Sequence, residues 1–148
     1  MAGFAMTRYG EAYVLEWLCQ GKSPDRLDVW LGYLTGNPGE TGTGAEVSGN
    51  GYARVQLVDV STSTASTVFG AVTPNTAPAT GSFCANTSDI EFPIATGNQG
   101  TITHIAIWNA ATGGQMIAYK ALAVPQTVEA SQQVKFQVGK LKISQDYT

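Results

Sequence analysis

The stretch TITHIAIWNAATGGQMIAYKAL (Thr101–Leu122) does most to limit what this chain can fold into. Thr103, Ile105 and Ile107 alternate with Ile102, His104, Ala106 and Trp108, the period of two at which strand side chains face opposite sides of a sheet. Asn109–Gln115 then reads as a hairpin loop whose glycines permit positive φ, and MIAYKAL returns as the partner strand. No such period governs a helix, so this half of the chain is committed to sheet.

Other segments follow the same pattern. In RLDVWLGYLT (Arg26–Thr35), Leu27, Val29, Leu31 and Tyr33 share one face and Asp28, Trp30 and Gly32 the other. YARVQLVDV (Tyr52–Val60) predicts a second strand. NTSDIEFPIAT (Asn86–Thr96) predicts another, which Pro93 places at an edge or an end. VKFQVGKLKISQ (Val134–Gln145) predicts one or two strands bent at Gly139. Ser61–Ser82, rich in Ser, Thr, Ala and Pro, reads as a long connection with a short strand around Thr67–Val72. A single helix is predicted over residues 7–20. Thr7 is its N-cap, Glu11 lies in the first turns and Gly21 sits just past its end. Tyr9, Tyr13, Val14, Trp17 and Leu18 recur at helical spacing, so the helix is expected to lie on a sheet, with Gly10 weakening its first turn by about 1 kcal/mol. The alternating βαβ pattern of a parallel sheet is absent. The fold class is therefore mainly β: one domain over residues 1–148, a β-sandwich or small barrel of about seven or eight mostly antiparallel strands with one N-terminal α-helix.

Only 13% of the residues are charged, about half the usual ~25%. That composition suits a β-domain held in an assembly, where neighbours cover much of the surface. The net charge of −3 gives no electrostatic footprint for nucleic acid or an anionic membrane. No apolar run approaches the ~20 residues of a membrane span, and the start, MAGFAMTRYG, lacks the basic and apolar regions of a signal peptide. The chain is thus expected to be made in the cytoplasm and kept there until assembled. Cys19 and Cys84 fall in apolar surroundings and read as free, buried thiols. Trp17 and Trp108 read as core.

The run NPGETGTGAEVSGNGYARV (Asn37–Val55) holds the strongest candidate for chemistry and fails each test. Gly39 and Gly44 have phosphate-loop spacing, but Ala45 and Glu46 stand where Lys and Ser or Thr must reach phosphate and magnesium. The dinucleotide pattern lacks its third glycine and a following helix. His104, the one histidine, sits mid-strand with no nucleophile elbow in the chain, and zinc-ligand spacing is missing. Asp89 and Glu91 share a strand face about 7 Å apart, a separation compatible with a glycosidase pair but far commoner on a solvated surface. Lys135, Lys140 and Lys142 form a basic stripe of the kind that blunts a sheet edge. No catalytic residue, cofactor or metal is expected.

Candidate protein-interface residues are Trp30, Pro38, Gly39, Glu40, Tyr52 and Arg54. Trp30 is out of phase with its strand's apolar face, so either both faces are buried or Trp30 is presented outward. Pro38-Gly39 sets the entry turn of the Gly-rich loop. Arg54 lies near Glu40 and Glu46, and pairing within the loop is expected.

NPGETGTGAEVSGNGYARV, DIEFPIATGNQGTITHIAIWNAATGGQMIAYKAL and VKFQVGKLKI resemble a family of small tailed-bacteriophage virion structural proteins. Members are labelled tail fibre protein, and some look like head-decoration (cement) proteins. The resemblance covers nearly the whole chain apart from Ser61–Ser82 and brings no catalytic residues. It implies a non-enzymatic virion component. A capsid decoration protein bound to the major capsid protein leads, and a tail fibre, minor tail or adaptor component is the alternative. A homo-oligomer fits either. A carbohydrate-binding module using Trp30 and Tyr52 belongs to a third class.

Overall fold

A computed structural model describes residues 3–21, 27–59, 61, 68–74 and 82–145. Along the chain these form β1 (Ala5–Met6), α1 (Arg8–Gln20), β2 (Val29–Leu34), β3 (Val55–Val58) and β4 (Ser82–Ala85). Then follow β5 (Ile90–Glu91), β6 (Gly100–Trp108), β7 (Met116–Val128), β8 (Lys135–Phe136) and β9 (Lys142–Gln145). A five-stranded sheet runs in the order β1-β7-β6-β2-β3, and β4-β9 and β5-β8 make two small sheets. Every pairing is antiparallel. The architecture is mainly β and of sandwich type, as the alternation predicts, and none of the three described sheets closes into a barrel. Most of the Ser61–Ser82 connection lies outside the described residues. Its described part bridges β4 and the residue after it, at Thr73–Phe83 and Phe69–Asn86.

Both faces of β2 are covered. Leu31 and Tyr33 enter the main core with Leu57, Phe92, Ile105, Ile107 and Leu141. Leu34, on the opposite face, joins Ala106, Trp108 and Met116 in a second cluster. Trp30 lies half-buried on that second side, which resolves its phase in favour of two buried faces. Trp108 is core as expected.

The β6–β7 hairpin forms with Gly113 and Gly114 at positive φ (59° and 69°). Its ladder departs from simple alternation. Ile102 pairs with Gln126 and His104 with Ala121, so Leu122, Ala123, Val124 and Pro125 stand opposite Thr103 alone. This bulge puts Ile102 in the same core as Ile105 and Ile107. It also accommodates Pro125, which has no N–H for a ladder.

The helix has the predicted limits. Thr7 Oγ1 accepts from Gly10 N at the N-cap, and Gly21 closes the C-terminus in the left-handed region (φ 62°). Its packing differs from expectation. Only Gly10 is buried, whereas Leu15, Trp17 and Leu18 are exposed, so Trp17 is not core. The cause is a contact at Gly10: a Cβ there would lie 2.3 Å from the Ile117 carbonyl oxygen. The helix touches β7 through this first turn, and the apolar side chains of its second half remain uncovered. Cys19 lies on that half and is exposed. Cys84 is half-buried, and both cysteines are free.

Candidate interaction site

The Gly-rich run completes the edge of β2. β3 pairs along β2 as far as Leu31–Val55. Beyond that point the Tyr52 hydroxyl accepts a bond from Tyr33 N (3.3 Å). Further on, Val47 N donates to Tyr33 O (3.3 Å) and Thr35 N to Ala45 O (2.8 Å). One side chain and two stretches of backbone thus satisfy a strand edge that would otherwise stay open. The glycines serve this path. Gly39, Gly42, Gly49 and Gly51 have positive φ, and a Cβ on Gly42 would crowd Met116 and Thr7 at 3.1 and 3.2 Å.

Arg54 locks the arrangement. Its Nε and Nη2 donate to the two oxygens of Glu46 (2.6 and 2.7 Å), a bidentate fork. Nη1 donates to Ala110 O (2.7 Å) and Gly113 O (2.9 Å) in the β6–β7 loop. The guanidinium also stacks on Trp108, 4.0 Å from the ring centre. Pairing within the loop is therefore observed with Glu46. Glu40 instead faces Arg8 at 3.9 Å, both largely exposed. Tyr52 donates to Glu46 Oε1 (2.8 Å), and burial followed by that bond pushes its phenol well above the ordinary range.

Three of the six candidate interface residues come together here. Trp30, Tyr52 and Arg54 line a concavity of about 400 Å³ between the Gly-rich loop and the β6–β7 loop. Its wall includes Ser48 and Thr112. Pro38, Gly39 and Glu40 lie in the earlier half of the loop, outside that lining. Pro38 is buried against Gly44, and Glu40 O accepts from Arg8 N (3.0 Å) at the start of α1.

The remaining candidate groups are engaged. Lys135 Nζ lies 2.7 Å from both Asp89 Oδ2 and Glu91 Oε1. Hydrogen bonds from Lys135 and Val138 keep the Asp89 carboxyl below its ordinary value. A glycosidase acid needs a shift in the opposite direction. His104 Nδ1 is 2.8 Å from Thr103 Oγ1, and burial lowers its pKa. Among the described residues no group of His, Cys, Asp and Glu is placed to hold a metal, and no helix is long and apolar enough to cross a membrane.

Two structural residues escaped the sequence reading. Asn86 is buried and makes backbone and side-chain bonds to both limbs of the β8–β9 turn, including Leu141 N to its Oδ1 (3.0 Å) and its Nδ2 to Gln137 O (3.0 Å). Gln99 accepts from the Tyr33 hydroxyl and donates to Asn50 O (2.9 Å), pinning the tip of the Gly-rich loop. An isolated Asn or Gln between apolar strands carries no signal of such long-range partners.

Residues 5–144 match the family model described as podophage GP4 fiber I protein gp80. The chain belongs to this family. It is a bacteriophage virion structural protein of fibre type, as the resemblance implied at the level of the virion. Comparison with curated proteins returned no match.

Proposed function

We propose that this protein works by binding alone, as a non-enzymatic subunit of the phage fibre apparatus joined to other proteins of the particle. The observation that carries the reading is the match to a fibre protein family over residues 5–144. The geometry supports it. Groups that might have served chemistry are spent on structure: Arg54 and Tyr52 on Glu46, and Asp89 and Glu91 on Lys135. What they produce is a loop–hairpin end with a fixed shape, the pre-organisation that makes a docking surface effective.

Head decoration, with the major capsid protein as partner, is the second reading. One observation favours it: the described strands fold into a short sandwich whose longest member, β7, has 13 residues, and the sequence shows no repeat of the kind that extends a fibre. Multivalent binding around a shell would multiply a modest affinity per copy.

Gold-labelled antibody against the chain, imaged on intact virions, tests both. Label at the tail or its fibres is the expected result. Label spread over the head would transfer the protein to the decoration class. Unlabelled particles, with antibody shown to bind the purified chain, would remove both readings.

A further inference from the structure

The concavity between the Gly-rich loop and the β6–β7 loop has two walls that one side chain ties together. Arg54 Nη1 holds Ala110 O and Gly113 O on one side, while Nε and Nη2 hold Glu46 on the other. Thr112 belongs to the first wall and Ser48 to the second. Their separation is therefore fixed before any ligand arrives, which lowers the ordering cost of binding. Trp30, half-buried on β2, also lines the space. The volume of about 400 Å³ falls within the roughly 300–1,000 Å³ usual for small-molecule sites.

Some polar groups on these walls are spent and others are open. The Arg54 side chain is nearly covered, and the Tyr52 hydroxyl both donates to Glu46 and accepts from Tyr33 N. Glu46 is different. Its Oε1 accepts two bonds, from Arg54 and Tyr52, but Oε2 accepts one, from Arg54. A carboxylate has room for about four, and the Glu46 side chain keeps 27% of its exposure. Ser48 and Thr112 are exposed, and their hydroxyls bond to nothing among the described residues. Because Arg54 and Glu46 cancel, the site offers one open acceptor and two hydroxyls beside an indole, without net charge.

We infer that this concavity binds a neutral sugar ring. The apolar face of the ring packs on Trp30, one hydroxyl donates to Glu46 Oε2, and others exchange hydrogen bonds with Ser48 and Thr112. The same features disfavour other ligands. An acidic sugar would meet the Glu46 carboxylate and find the Arg54 charge covered. A cation would find Glu46 already neutralised. An apolar side chain of another protein would leave Glu46 Oε2 and both hydroxyls facing it without partners. The inference rests on the binding-only reading of the protein and names the ligand class of one site, leaving the remaining surface to virion partners.

Amide and indole chemical shifts of the purified chain, titrated with glucose, galactose, mannose, N-acetylglucosamine and maltose, test it. At least one of these is expected to move the signals of Trp30, Ser48 and Thr112, saturating with a Kd on the order of 1–10 mM. W30A should weaken that binding about tenfold or more, and T112V about threefold. Glucuronic and galacturonic acids should bind more weakly than their neutral parents. Thermal unfolding establishes that each variant is folded; were W30A unfolded, T112V, at an exposed loop position, would decide. Four results would overturn the inference: no shift with any neutral sugar at about 50 mM, saturating shifts centred elsewhere, unchanged affinity in the folded variants, or tighter binding of N-acetylphenylalaninamide, which stands in for an apolar side chain. Cleavage of maltose during the titration would instead strike the binding-only reading, and the inference with it.

Discussion

The Arg54 guanidinium carbon lies over the Trp108 ring, 4.0 Å from its centre, while the Arg54 fork closes on Glu46. The Arg54 side chain is only 5% exposed, and that of Glu46 27%. Removing the cation leaves a partly buried carboxylate and two loop carbonyls without their donor. R54A should therefore cost roughly 3 kcal/mol, the low end for a broken buried pair because Glu46 keeps some access to water. R54K keeps the charge but cannot span Glu46, Ala110 and Gly113 together, so it should recover only part of the loss. Urea unfolding measures both. A stability for R54A within about 0.5 kcal/mol of the wild type would show that the clamp is dispensable.

Tyr52 makes stability depend on pH at the alkaline end. Burial, then the hydrogen bond to Glu46 and its charge, raise the phenol above its ordinary 10.0, outweighing the bond from Tyr33 and the charge of Arg54. The unfolded chain releases this proton near pH 10 while the folded chain keeps it. The contribution is therefore intact below pH 10 and lost as pH rises above it, at up to about 1.4 kcal/mol per pH unit. Y52F should lose about 1–2 kcal/mol at pH 7, because Tyr33 N and Glu46 lose a partner. Above pH 10 its stability should fall less steeply than that of the wild type. Equal slopes from pH 9 to 11.5 would contradict the assignment.

The residues explain what was legible in the sequence. Thr7 and Gly21 bound the helix through local backbone chemistry, and the hairpin glycines and Gly139 act locally too. Arg54 and Glu46 are eight residues apart, close enough for their pairing to be anticipated. Contacts set by distant chain segments were hidden. Gly10 looks like a weak point in a helix until the Ile117 carbonyl is placed against it. Trp17 has core spacing but lies where the helix has left the sheet. The role of Asp89 and Glu91 depends on Lys135, which lies more than forty residues away in the chain. The bulge opposite Thr103 moved Ile102 to the other face, because period two holds only while the ladder is regular.

The two cysteines should differ in reactivity. Cys19 is exposed, whereas burial raises the pKa of the half-buried Cys84 and lowers its thiolate fraction. Iodoacetamide at pH 8 should alkylate Cys19 first, with Cys84 at least tenfold slower until denaturant is added. Peptide mass spectrometry of a time course reads both sites. Equal rates in the folded protein would mean that the segment around β4 opens readily.

Gly10 offers a test in which two physical effects have opposite signs. Alanine is the better helix former by about 1 kcal/mol, so G10A would stabilise a helix that merely rested near the sheet. Here the added Cβ would lie 2.3 Å from a backbone oxygen, and that oxygen already accepts Thr7 N at 3.0 Å. The atom it meets cannot rotate away as a side chain could. Either β7 shifts or the first turn of α1 lifts, and overpacking of this kind costs roughly 1–3 kcal/mol. The net expectation is destabilisation by about 1 kcal/mol, with faster amide exchange through Arg8–Gln20. Q20A, at an exposed position of the same helix, controls for propensity and should change stability by less than about 0.5 kcal/mol. A G10A protein more stable than the wild type would mean that the helix is free to move off β7 without loss, and that its first turn does not hold it in place.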